Sequence, residues 1–275
     1  MLLGRILLLF LEKNMTEFIE ISSKDNPLIK FVSGLQSSSK QRKEEGKFVL
    51  EGLRICDDAY QNNIKFDKLI VTKSAFEKHK NIIEQFVKVS RNCYILREDL
   101  FKKISDTNSP QGIIAVALTP QNNNIVSKTG RYLALENLAD PSNLGAIART
   151  AEALGIDGII MTSDSCDPYA PKSLRSSMGT LLRLPLFIVD NLSSYIADNG
   201  LRSFACVVDK DADSISKQDF KDGDVLLIGN EANGLTDETK QNANYRITID
   251  MQGKAESLNA AAAAAIAMWE MVKGK

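Results

Sequence analysis

The sequence predicts a two-part α/β protein: a small mixed domain followed by a larger one built on a mostly parallel sheet. Three observations carry this fold class. The 275 residues exceed the roughly 100–150 that one domain commonly holds, so two cores are expected. Short apolar runs alternate with helix-spaced stretches along most of the chain. In the second half those runs are apolar almost throughout, the pattern of parallel strands covered on both faces.

Residues 1–14 (MLLGRILLLFLEKN) hold a terminal hydrophobic run, Ile6 to Leu11, far short of the roughly 20 residues that cross a bilayer. No small-residue cleavage site follows it, so the segment is expected to be an extension outside the fold, with Met15 as a second start. Residues 15–120 are expected to form the first domain. Its strands are KFVLEG (47–52), DKLIVT (67–72), NCYIL (92–96) and GIIAVAL (112–118), with helical spacing in LRICDDAYQN and AFEKHKNIIEQF between them. The polar stretch QNNNIVSKTG (121–130), behind Pro120, serves as the linker.

The second domain, 131–275, opens on the strand RYLALEN (131–137). Further strands are expected at GIIMT (158–162), LFIVD (186–190), FACVVD (204–209), DVLLIG (224–229) and RITID (246–250). A helix over 143–154 ends at Gly155, and the last helix, carrying Leu258, Ala262, Ile266 and Trp269, is apolar nearly all round and belongs in a core or an oligomer interface.

Hydrophobic residues at 44% and charged residues at 25% are ordinary for a folded protein and disfavour long disorder or a disulfide scaffold. The four cysteines form no C-x-x-C pair, so they read as reduced, mostly buried thiols of a cytoplasmic protein. The net charge of −1 hides an asymmetry: 20 basic and 15 acidic side chains precede residue 131, while 14 basic and 20 acidic ones follow. A basic first part suits a polyanion, although a solvated lysine-rich surface explains it too. The sole histidine, His79, sits in the charged stretch FEKHK and reads as solvated. Asp209, Asp211 and Asp213 begin a calcium-loop pattern, but Ser214 and Phe220 stand where its glycine and glutamate belong. No metal and no membrane span are expected.

In open parallel sheets, ligands bind beyond the carboxyl ends of the strands, so the turns there are where chemistry is sought. The first, ENLADPSNLGAIARTAEALG (136–155), leaves a strand, turns through Asp140 and enters a helix with Pro141 at its first position. Arg149 on that helix is expected over Gly145 and Ala146, within reach of Asn143. The second, LLIGNEANGLTDE (226–238), runs a buried strand into Gly229, Glu231 and Gly234; Leu235 and Thr236 in place of Lys and Ser/Thr exclude a P-loop. Thr236 or Asp237 caps the helix that follows. The third, ITIDMQGKAESLNAAAAAAIAMWEMV (247–272), is a strand, a loop through Gly253 and a helix that Ser257 is expected to cap. Taken singly, each fits a plainer role: a capped helix with an exposed arginine, a strand turn, a core helix.

Together and in this order, the three stretches resemble the sequence motifs of the SpoU (TrmH) family of RNA ribose 2'-O-methyltransferases. DPYAPKSLRSSMGTLLRLP (167–185) also resembles the family's segment with a proline-lysine, an arginine and a small-residue turn. Residues 20–118, through SSKDNPLIKFVSGL and KFVLEGLR, resemble the ribosomal-protein-like substrate-binding domain often fused ahead of it. The resemblance implies an α/β fold with a C-terminal trefoil knot (SPOUT-like), bound S-adenosylmethionine, a homodimer, and RNA, ribosomal more than transfer, as substrate. It also implies a reacting site of Asn143, Arg149, Glu231, Ser257 and Asn259. Gly229, Asn230, Gly234, Ile249, Met251, Ser257 and Leu258 would then hold the cofactor. Thr248 to Asp250 departs from the family's usual Ile-Pro-Met entry to the third motif. Base methylation on the same scaffold, or RNA binding without catalysis, are the alternatives; the presence of Arg149, Glu231 and Asn259 favours an enzyme.

Overall fold

A computed structural model describes residues 18–120 and 126–273. The extension 1–14, residues 121–125 of the linker and residues 274–275 lie outside the described residues. The chain divides at Pro120/Gln121 into two compact units, with Tyr169–Pro171 grouped with the first.

The first unit runs β1 (Phe18–Ile21), α1 (Pro27–Ser37), α2 (Ser39–Glu45), β2 (Lys47–Glu51), α3 (Leu53–Gln61), β3 (Phe66–Thr72), α4 (Lys73–Lys78), α5 (Lys80–Lys88), β4 (Ser90–Leu96), α6 (Glu98–Phe101) and β5 (Ile113–Leu118). Its sheet has the order β1-β4-β3-β5-β2, with β5 antiparallel to both neighbours and the other pairs parallel. Val32 and Leu35 of α1 pack on Val49, Ile70, Leu96, Phe101 and Ile114. The helical stretch read through AFEKHKNIIEQF is broken at His79, which ends α4 and begins α5. His79 is accordingly half-buried at that junction rather than solvated.

The second unit runs β6 (Tyr132–Leu135), α7 (Pro141–Ala153), β7 (Gly158–Thr162), α8 (Pro171–Ser177), β8 (Leu186–Val189), α9 (Leu192–Asp198), β9 (Arg202–Cys206), β10 (Asp213–Ser214), β11 (Asp224–Ile228), α10 (Asp237–Asn242), β12 (Tyr245–Thr248) and α11 (Ala260–Val272). The sheet is parallel at every pairing, in the order β10-β12-β9-β11-β6-β7-β8. Alternation along β6 divides its core: Leu133 and Leu135 face α7 and α11, while Tyr132 and Ala134 face the layer of Leu192 and Ile196 from α9. Small side chains let α11 lie close, with Ala264 and Ala267 fully buried beside Ile147, Ala148 and Ala151 of α7. Its outer side is not covered by the described residues: Ile266 is 39% exposed and Trp269 56%.

Candidate functional site

The strand order reverses where β11 lies between β6 and β9, so the turns that leave β6 and β11 emerge side by side. That juxtaposition builds the site. After β6, Asn137 takes a left-handed φ of 54° and donates its N–H to Thr162 Oγ1 at 2.8 Å, while the Leu138 N–H reaches Ser165 Oγ at 3.1 Å. Asp140 then caps α7, accepting from the Ser142 N–H at 2.9 Å, and Pro141 occupies the first helical position.

After β11, the chain folds back on itself. A Cβ on Gly229 would lie 2.1 Å from the carbonyl carbon of Gly234, so no side chain fits there. Asn230 and Gly234 exchange backbone hydrogen bonds of 3.0 and 2.9 Å, and Gly234 has a φ of 66°, which glycine adopts without strain. Asn230 Nδ2 donates to the Asn137 carbonyl at 2.8 Å, pinning one turn to the other. Behind them the buried Glu136 carboxylate accepts from the Thr236 N–H at 2.7 Å and from the hydroxyls of Thr236 and Thr239. Thr236, not Asp237, caps α10.

Glu231 projects from this fold-back onto the start of α7. Its carboxylate accepts from the N–H groups of Ala139 at 3.0 Å and Asp140 at 3.1 Å and from Asn143 Nδ2 at 2.8 Å. Burial would raise its carboxyl, but the donors from Asn143, Ala139 and Asp140 outweigh that and hold it below the ordinary carboxylate range. Buried Asn143 completes the chain by accepting from Asn259 Nδ2 at 3.1 Å. One residue from each of the three turns therefore meets in a single hydrogen-bonded row.

Asn259, rather than Ser257, is the cap of α11: its Oδ1 accepts from the N–H groups of Ala261 and Ala262 at 2.9 and 3.3 Å. Ser257 is exposed two residues upstream and has no hydrogen bond among the described residues. Arg149 does not meet Asn143, because six residues on a helix with 3.6 per turn place two side chains about 120° apart. It is exposed, with no polar partner among the described residues. It shares a face instead with Gly145, against which α8 is pressed.

Ile249 and Met251 are half-buried beyond β12, and Leu258 is exposed ahead of Asn259. Because β12, β9 and β11 are adjacent, the loops after them run together, and the one after β9 adds Val208, 67% exposed. Asp140 caps α7 as its place before Pro141 predicts, whereas Glu136, Thr162 and Ser165 were not singled out by motif spacing; position at or just after the end of a strand is their only signal. Among the described residues no cluster of three or more His, Cys, Asp or Glu could hold a metal ion, and no helix is long and apolar enough to cross a membrane.

Residues 130–269 match the model of the SpoU rRNA Methylase family. The chain belongs to that family. Residues 26–115 match the MRM3-like substrate binding domain. A tRNA/rRNA methyltransferase of Synechocystis sp., itself uncharacterized, is 30% identical over 93% of this chain and 94% of its own length. The 23S rRNA (guanosine(2553)-2'-O)-methyltransferase RlmP of Bacillus subtilis is 27% identical, covering 92% of this chain and 98% of its own. An AdoMet-bound rRNA methyltransferase from Sinorhizobium meliloti superposes with a TM-score of 0.83 at 27% identity, over 94% of this chain and 98% of that one. This SpoU protein thus shares both of its units with relatives along nearly their full length.

Proposed function

We propose that this SpoU-family protein methylates the 2'-hydroxyl of a ribose in ribosomal RNA, using S-adenosylmethionine, in the cytoplasm where that RNA lies. The observation that carries the reading is the row Glu231–Asn143–Asn259, which joins three separate turns at the carboxyl ends of parallel strands. S-adenosylmethionine supplies an electrophilic methyl group. The residues present fit it: the fold-back at Gly229 and Gly234 offers main chain with open space beside Gly234, and Ile249, Met251, Leu258 and Val208 give apolar surface for an adenosine. Asn230 holds that fold-back in place, and Ser257, two residues ahead of Asn259, would lie beside cofactor and substrate.

A ribose hydroxyl is a weak nucleophile, so the protein must orient it and stabilise the developing alkoxide or remove its proton. Asn143 and Asn259, held by Glu231, provide fixed amides for orientation. Arg149, cationic and without a polar partner among the described residues, serves the alkoxide or the adjoining phosphate; a guanidinium holds its proton too tightly to act as a base. Residues 15–120 select the RNA and 131–275 perform the transfer, a division supported by the charge split along the chain. We further assign a homodimer through the outer side of α11, where Trp269 and Ile266 form an exposed apolar stripe, and the family's knot around the loops after β11 and β12.

The test is nucleoside analysis of unmodified ribosomal RNA treated with the protein and S-adenosylmethionine. An alkali-resistant dinucleotide is expected, because 2'-O-methylation removes the hydroxyl that alkaline cleavage needs. A methylated base would instead establish the alternative chemistry. Light scattering checks the dimer: about twice the 30.3 kDa chain mass is expected, and a monomer at micromolar concentration rejects it.

A further inference from the structure

We propose that Lys172, at the start of α8, is a phosphate-positioning residue for the RNA strand beside the Glu231–Asn143–Asn259 row; the inference rests on the RNA-methyltransferase reading above. Three observations point to it. The first is rigidity. α8 is docked on the first turns of α7 so closely that a Cβ on Gly145 would lie 2.0 Å from Ser176 Oγ and 2.6 Å from the Ser176 carbonyl carbon. Ser176 Oγ also donates to the Pro141 carbonyl at 3.0 Å. The helix bearing Lys172 is therefore fixed relative to the helix bearing Asn143.

The second is placement. Lys172 Nζ lies 3.0 Å from Asp140 Oδ1, and the Asp140 N–H is one of the donors to Glu231. The ammonium is thus one residue removed from the carboxylate that orients Asn143. Asp140 occupies one of its three donors, leaving two for a ligand. Both partners remain open, at 59% and 44% side-chain exposure, and an ion pair so exposed contributes little to folding.

The third is charge. Two carboxylates, Glu231 and Asp140, crowd this mouth and would repel a phosphodiester. In a nucleotide the 2'-oxygen and the 3'-phosphate sit on adjacent ribose carbons, so an RNA that presents its 2'-hydroxyl to the row necessarily brings that anion with it. Lys172 neutralises Asp140 and offers the compensating charge, while Arg149, four residues beyond Gly145 on α7, adds a second cation on the helix face that α8 packs against.

The experiment measures the affinity of the full-length protein for unmodified ribosomal RNA across a potassium chloride series, together with single-turnover transfer. Lys172→Ala is expected to weaken RNA binding about tenfold, the loss of one charge-assisted hydrogen bond. The slope of log affinity against log salt should fall in magnitude by about one. S-adenosylmethionine affinity and the melting temperature should not change, and Lys172→Arg should restore the slope. Lys273→Ala removes an ion pair at the far end of α11, about 20 Å along a 13-residue helix, and should change none of these. An unchanged slope and affinity for Lys172→Ala, an equal loss for Lys273→Ala, or a lowered melting temperature would each overturn the inference while leaving the transfer reading intact. Absence of ribose methylation by the unaltered protein would overturn the reading itself.

Discussion

The Asn259 side-chain amide donates to the carboxamide oxygen of Asn143 at 3.1 Å, joining the start of α11 to the first turn of α7 across 116 residues of sequence. The other end of Asn143 donates to Glu231, so the two bonds together fix which way its carboxamide points. Asn259 meanwhile spends its oxygen on capping α11. One side chain thus starts a helix with one end and aligns a neighbour with the other.

Those two roles can be separated. Asn259→Asp keeps an N-cap acceptor and suits the helix dipole, but it cannot donate to Asn143 and sets two acceptors facing each other. Unfolding free energy within about 1 kcal/mol of the unaltered protein is expected, with single-turnover transfer lowered about 10²-fold by misplacement. Asn259→Ala should lose transfer similarly and also about 1 kcal/mol of stability. Unimpaired transfer by the aspartate variant would reduce Asn259 to a cap.

Glu231 provides a pH signature. Its carboxyl lies below the ordinary range in the folded protein, because the donors from Asn143, Ala139 and Asp140 outweigh the burial that would raise it. A carboxyl depressed by folding adds stability that is fully present above its unfolded value and is lost as pH falls through the folded value. The protein should therefore lose stability more steeply than Glu231→Gln as pH falls below roughly 5. Urea unfolding at several pH values measures this; parallel curves would mean that Glu231 takes no part in the linkage.

The parallel sheet was legible because its strands are apolar runs, and the turns after them because glycine, proline and asparagine punctuate them. Two edge strands were not: β10 spans only Asp213–Ser214, too few residues to show a period, and β1 is the mixed, largely uncovered run FIEI rather than an apolar one. The cap of α11 was misplaced for a related reason. A run of alanines has good helix propensity at every position and no apolar phase, so Ser257 and Asn259 look equally fit to begin it. The choice is made by Asn143, far away in sequence. Arg149 was drawn toward Asn143 by the backward lean of helical side chains, a rule that holds for neighbours three or four apart and not for six.

Gly145 tests the close docking of α7 and α8. Alanine is the better helix former by about 1 kcal/mol, so an open site would gain from the exchange. Here the new Cβ meets the Ser176 carbonyl carbon at 2.6 Å, and that atom moves only with the backbone. Overpacking should win, and Gly145→Ala should destabilise by about 1–3 kcal/mol. Because the obstructing atom is main chain, Ser176→Gly should not rescue it. A stabilised Gly145→Ala variant would mean that α8 yields easily.

Arg149 distinguishes an enzyme from a folded relic of one. It is exposed on α7 and has no hydrogen bond or ion pair among the described residues, so none of them explains its charge. Removing it should therefore change stability by no more than about 0.5 kcal/mol. If the guanidinium stabilises the developing alkoxide or holds the neighbouring phosphate, Arg149→Ala should spare cofactor affinity and lower single-turnover transfer by about 10²-fold, as loss of one electrostatic stabiliser does. Arg149→Lys should recover only part of that, since it keeps the charge but lacks the planar fork that meets two oxygens at once. A phosphate role alone would appear as weaker RNA affinity with a shallower salt dependence, whereas an alkoxide role would appear in the rate at saturating RNA. Transfer at the unaltered rate by Arg149→Ala would remove the residue from the mechanism and leave the row of Glu231, Asn143 and Asn259 to carry the chemistry alone.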